Sequence, residues 1–186
     1  MEVIDHTRLL GTVISDDLKW NLNTETIVKK ANARMELLRR LSSFNAPIKD
    51  MVTVYFSFIR SILEQSCVLW HSTLTEEDRM SLERVQKNAL RNILKEKYVT
   101  YENALEVLNI ETLYKRREKL MKTFGRKCLQ LDQTKELFPI NKNIPNMKTR
   151  NHEKFHILHA NTERLKNSTV PYIQRILNQN ENIRNA

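Results

Sequence analysis

The histidines late in the chain carry the one spacing that names a reaction. His152-Glu153-Lys154-Phe155-His156 fits the His-Glu-x-x-His pattern, in which two imidazoles one helical turn apart bind zinc and the glutamate activates the metal's water. His159 follows closely. That chemistry requires a buried helix, whereas the flanks Thr149-Arg150-Asn151 and Ala160-Asn161-Thr162 are polar and poor in helix formers. No glycine stands where the longer metzincin pattern needs one. The pattern is read as a chance match, so no metal site and no other cofactor is expected. Asp16 and Asp17 are adjacent carboxylates, but in a turn such residues bond local backbone, and two-metal chemistry needs carboxylates converging from separate strands. There is no Walker loop, no G-x-S-x-G and no suggestively spaced Cys–His pair. The expectation is a protein without catalytic residues.

What the sequence holds in quantity is positive charge. Lysine and arginine number 31 against 22 acidic residues, a net charge of +9. That balance suits a polyanion, nucleic acid first and an anionic membrane second; the plainer reading is a well-solvated basic surface. Two helical segments concentrate the charge. Over Thr75–Lys97, Leu82, Val85, Ala89 and Ile93 share one face while Arg84, Lys87, Arg91 and Lys95 fall largely on the other. Thr112–Leu131 carries Lys115, Arg116, Arg117, Lys119, Lys122, Arg126 and Lys127, with Leu113, Leu120, Phe124, Cys128 and Leu131 expected inside. The residues expected to contact phosphates are Arg84, Lys87, Arg91, Arg116, Arg117, Arg126 and Lys127.

The elements that must position them are mainly helices. Two glycines and four prolines in 186 residues argue against a dinucleotide fold or a propeller and favour helices joined by short connections. Arg8–Ile14 reads as a short strand and Ser15-Asp16-Asp17 as a turn. Periodicity predicts helices over Thr24–Phe44 and Ile48–Trp70, the second the most apolar and central, with Arg60 and Glu64 paired on its exposed side. Thr75 and Asp78 form a capping box for the basic helix, and Thr100 caps a short helix ending near Leu108. Residues 132–169 show little periodicity, with Phe155–Leu158 a possible short strand. A terminal helix of two turns is expected over Val170–Leu177, fraying from Asn178. The expected architecture is a bundle of four to five helices with a short N-terminal β element and a loosely ordered C-terminal tail, divided at 1–22, 23–131 and 132–186. Cys67 and Cys128 form no CxxC pair and are read as small buried residues in a reducing compartment. No signal-peptide h-region and no apolar run of spanning length is present. An intracellular protein, nuclear or cytoplasmic, neither secreted nor in a membrane, is expected.

Several blocks, taken together, resemble the region downstream of the palm in non-LTR (LINE, jockey or CR1-like) retrotransposon reverse transcriptases. They are Leu10-Gly11-Thr12-Val13-Ile14 with Asp17-Leu18-Lys19-Trp20, Lys29-Lys30-Ala31 with Leu38-Arg39-Arg40-Leu41, and Phe58–Glu64 with Val68-Leu69-Trp70-His71. Glu83–Arg91, Arg116-Arg117-Glu118 and Ser168–Tyr172 follow in the family's order. The resemblance implies a thumb and post-thumb region lacking the Tyr-x-Asp-Asp palm: a non-catalytic fragment or remnant. Its basic helices would touch the backbone of an RNA–DNA hybrid or duplex without base specificity, and the missing palm would be a further partner. The alternatives are a helical protein–protein interaction module or a functionless relic. The Leu10–Ala31 block also looks like a segment attached to AlkB-type DNA-repair dioxygenases, although the His-x-Asp…His iron triad of those enzymes is absent from the sequence.

Overall fold

The computed structural model describes residues 4–140 and 155–184. The expected class is observed: mostly helix, preceded by one two-stranded antiparallel sheet. The chain packs as two units, Met1–Cys67 with Leu74–Arg117, and Val68–Thr73 with Glu118–Ala186.

The first unit opens with β1 (His6–Leu9) and β2 (Thr12–Ser15), paired from His6↔Ser15 to Leu9↔Thr12. Sequence reading predicted one strand here, and the difference lies in Leu10-Gly11. Both take positive φ, 48° and 86°, as a two-residue hairpin turn requires. The Gln65 side-chain amide holds this turn by donating to the Leu10 carbonyl at 3.2 Å. The Asp16-Asp17 turn bonds local backbone as expected. The Asp17 carboxylate accepts from the Lys19 N–H at 2.9 Å and from the Ser15 hydroxyl at 2.7 Å. The Lys19 N–H, then the Ser15 hydroxyl, hold that carboxyl well below the usual range.

α1 (Asn21–Ser43) follows, burying Ile27, Ala31, Met35 and Leu38 at helical spacing. α2 (Ile48–Val54) runs through a π-helical turn at Tyr55–Arg60 into α3 (Ser61–Leu63). The long second helix predicted to Trp70 is broken at Ser66, which sits at φ 51°. α4 (Cys67–Trp70) and a 3-10 turn at His71–Thr73 come next. The Arg60–Glu64 pair forms at 3.7 Å, but with side chains 20% and 14% exposed it is not the surface pair the sequence predicted. α5 (Glu76–Leu94) carries the expected cap: the Asp78 N–H donates to Thr75 Oγ1 at 3.1 Å. Leu82, Val85, Ala89, Leu90 and Ile93 are its buried face. α6 (Tyr101–Leu108) is capped by Thr100 and ends at Asn109 with φ 51°. α1 packs on α5, with the α2–α3 segment against both, so the core of this unit lies between these helices.

α7 (Leu113–Gln130) begins in the first unit and continues in the second. Its inner face is rotated from the expected one. Arg117, Met121, Gly125 and Cys128 are buried with Leu113, whereas Phe124 and Leu131 are 40% and 57% exposed. In the second unit α8 (Asp132–Lys135), α9 (Glu163–Lys166) and α10 (Thr169–Arg184) follow. The C-terminal helix is longer than the two turns predicted, because Asn178 is not frayed. It is buried, and its side chain bonds both the N–H and the carbonyl of Phe155. The second core gathers Met121, Cys128, Phe138, Phe155, Ile173, Ile176 and Leu177. Gly125 lets α10 approach α7: a Cβ there would overlap Ile173 Cγ2 and crowd Leu177 Cδ1 at 3.3 Å. Alanine normally gains about 1 kcal/mol over glycine in a helix, whereas overpacking a core costs about 1–3 kcal/mol. Gly125→Ala is therefore expected to lower stability, read as a lower urea midpoint, and Gly125→Ala combined with Ile173→Ala should lose less than the sum of the two single losses. An increase in the midpoint for Gly125→Ala alone would contradict this packing.

Candidate nucleic-acid interface

Arg84, Lys87 and Arg91 are all exposed on α5. Their i, i+3, i+7 spacing places them within about 60° of one another along roughly 10 Å of helix. Among the described residues Arg84 and Lys87 form no ion pair, and Arg91 lies 5.1 Å from the Tyr98 ring. Several other bases of this unit are met by acids or carbonyls, although the exposed Lys29, Lys30 and Lys49 form no ion pair among the described residues. Arg39 and Arg40 pair with Glu36 at 3.3 Å, Arg79 with Glu76 at 3.5 Å, and Lys19 with Asp17 at 3.0 Å. Arg34 donates to the Phe58 carbonyl at 3.1 Å. Lys95, the next base along α5, is held by the Ser42 carbonyl and, at 2.8 Å, by Asn45.

The acid that sequence proximity would set against this row is turned inward. Glu83 accepts from the Leu113 N–H at 3.2 Å and from the Tyr101 hydroxyl. Beside it Gln86, 0% exposed, accepts from the Tyr55 hydroxyl at 2.5 Å and donates to Tyr101 at 2.8 Å and to the Glu111 carbonyl at 2.9 Å. Burial raises the Tyr55 and Tyr101 hydroxyls well above the ordinary tyrosine range, and for Tyr101 the Glu83 hydrogen bond adds to it. This polar network fixes the rotation of α5 about its axis and so decides which residues face out.

One of the expected contacts is corrected. Arg117 is 0% exposed, so it cannot reach a phosphate. Burial lowers its pKa, and the charges of Glu83 and Glu64 oppose that shift. Arg116 is committed to Glu64 at 3.2 Å, with 39% of its side chain exposed. Arg126 and Lys127 belong to the second unit and are exposed on α7. Sequence reasoning passed over Lys119 and Lys122, which with Arg126 repeat the i, i+3, i+7 spacing of the α5 row. That spacing was the available signal. Lys119 and Arg126 are exposed, and Lys122 is half-buried between them.

Of the His-Glu-x-x-His pattern, His152, Glu153 and Lys154 lie outside the described residues. Phe155 is buried in a single antiparallel bridge with Ile140, and 155–160 is not helical. Among the described residues no three His, Cys, Asp or Glu side chains come together to hold a metal ion. Cys67 and Cys128 are both buried free thiols, as expected. Burial pushes the Cys67 thiol up to about 11 from 9.0. A thiol neutral in the folded state while its unfolded form ionises adds stability below pH 9.0 and loses it as pH rises toward 11. The native protein at pH 8 is expected to resist a thiol-specific dye and to react once unfolded in urea; immediate labelling of Cys67 would contradict its burial.

Comparison with known families matches residues 20–61 to the family described as Alkylated DNA repair protein alkB homolog 8, N-terminal. The match spans α1 and the α2–π-turn segment, less than a quarter of the 186-residue chain. No curated protein matches the chain, and no solved structure matches it. The family match overturns the resemblance to non-LTR reverse transcriptases, and with it the reading as a thumb remnant of a retrotransposon polymerase. The blocks that carried that resemblance include α1, the same helix that the repair-protein family claims.

Proposed function

We propose that this chain is a non-catalytic helical module that binds the sugar–phosphate backbone of nucleic acid without reading base sequence. The observation that carries the reading is the α5 row of Arg84, Lys87 and Arg91, three exposed bases on one helix face that form no ion pair among the described residues, whereas Arg39, Arg40 and Arg116 are paired. On α7 the second unit also presents the exposed Arg126 and Lys127. Point charges on flexible stems spaced along a helix suit phosphates, which position a protein on a duplex, rather than base edges, which specify it. The description of the matched family, a protein of alkylated-DNA repair, supports a nucleic-acid setting. Among the described residues no helix is long and apolar enough to cross a membrane. The two reduced, buried thiols support an intracellular location. The test is fluorescence anisotropy with two labelled duplexes of unrelated sequence at low salt. Equal affinities that weaken together as salt is added support the reading. Folded protein that binds neither duplex at low salt would contradict it and favour a protein-interaction bundle.

A further inference from the structure

The N-terminal hairpin has one covered edge and one open edge. In an antiparallel pair, residues alternate between bonding the partner strand and pointing their N–H and C=O away from it. The Val13 N–H is bonded to Asn23 Oδ1 at 3.1 Å, so Val13 and its partner Arg8 are an outward-pointing pair. His6 and Ser15, two residues on, are the next such pair, and Ser15 offers its outward carbonyl to the Leu18 N–H at 2.9 Å. The outer edge of β2 is thus occupied from within the chain. On β1 the outward groups are those of His6 and Arg8, and among the described residues nothing bonds them. All four residues of β1 are exposed. At the hairpin tip Leu10 is 89% exposed and Leu9 60%, with Leu10 held in the left-handed region that leucine rarely occupies.

We propose that the outer edge of β1 takes an extended acidic segment of a partner protein as a third strand. His6 and Arg8 lie two apart and share one face of the strand, whereas Asp5 lies on the other. A second copy of this chain, added antiparallel with Arg8 opposite Arg8 of its twin, would set like charges directly against each other, which destabilises a pair. An incoming strand instead gains by placing glutamate or aspartate opposite Arg8. Its neighbours, on the face of Thr7 and Leu9, are then best β-branched. Main-chain bonds hold the segment and alternate side chains select it, the usual division of labour in strand addition.

The probe is a short fluorescein-labelled peptide of alternating valine and glutamate, titrated into the full chain and followed by anisotropy. An alternating valine–lysine peptide and a scrambled valine–glutamate peptide serve as controls. The alternating acidic peptide is expected to bind at least about tenfold more tightly than either. Arg8→Pro removes the outward N–H without touching the β1–β2 ladder and should abolish binding. Arg8→Glu, which keeps the backbone intact, should reverse the preference toward the lysine peptide. Failure to bind, equal affinity for the scrambled peptide, or a preference unchanged by Arg8→Glu would overturn the proposal. So would a chain that sediments as a dimer and reverts to a monomer on Arg8→Pro, because the occupant would then be a second copy.

Discussion

Glu83→Ala should cost about 1–3 kcal/mol of unfolding free energy, the loss typical when a charged acceptor of part-buried hydrogen bonds is removed. Glu83 receives the Tyr101 hydroxyl and the Leu113 N–H, and its charge opposes the burial of the Arg117 guanidinium. Truncation leaves both donors without their acceptor and deepens the desolvation cost of a fully buried cation. Glu83→Gln retains an acceptor for Tyr101 and Leu113 and loses only the charge, so its loss should fall between wild type and Glu83→Ala. Urea unfolding followed by circular dichroism gives both values. A loss below about 1 kcal/mol for Glu83→Ala would show that the network does not hold α5, and with it the outward row, in place.

The second large effect concerns that row itself. Neutralising it as Arg84→Gln, Lys87→Gln and Arg91→Gln together should leave stability nearly unchanged, because the three side chains are exposed and glutamine is a good helix former. Duplex affinity should fall steeply. If each base neutralises one phosphate, the three together account for roughly a 40-fold change in affinity between 50 and 200 mM salt. A control with Arg39→Gln and Arg40→Gln removes nearly as much charge from the same unit, but both of those bases already serve Glu36. Its affinity should stay within about threefold of wild type. Equal losses in the two variants would mean that net charge, not the α5 row, drives binding.

Much of this arrangement was legible in the residues, and the failures are instructive. The Thr75–Asp78 cap and the apolar line Leu82–Val85–Ala89–Ile93 placed α5 and its outer face correctly, because local capping and periodicity both point the same way there. Arg117 was misplaced by residue type. It stands four after Leu113 and four before Met121, squarely on the apolar line of α7, and its charge hid that position. A single strand over Arg8–Ile14 places Gly11 in its interior, though a glycine amid a β-branched run is equally a turn. Glu64 was read as a surface partner of Arg60; that Arg116 also converges on it depends on packing between segments some fifty residues apart, which no local pattern encodes. Asn178 looked like the start of a frayed end, but two hydrogen bonds to Phe155 hold it in the helix, a tertiary contact overriding a weak helix former. The family resemblance built on short blocks along the chain did not survive comparison, in which residues 20–61 match a family described by its part in alkylated-DNA repair.

The central claim is that the α5 row contacts phosphates, and the slope of log affinity against log salt tests it most directly. Anisotropy titrations of one labelled duplex, run across a salt series with wild type and with the Arg84→Gln, Lys87→Gln, Arg91→Gln variant, give two slopes. Loss of three phosphate contacts predicts that the variant's slope is shallower by about 2.7. Two parallel slopes would contradict the account, since binding would then be carried by charges elsewhere on the protein.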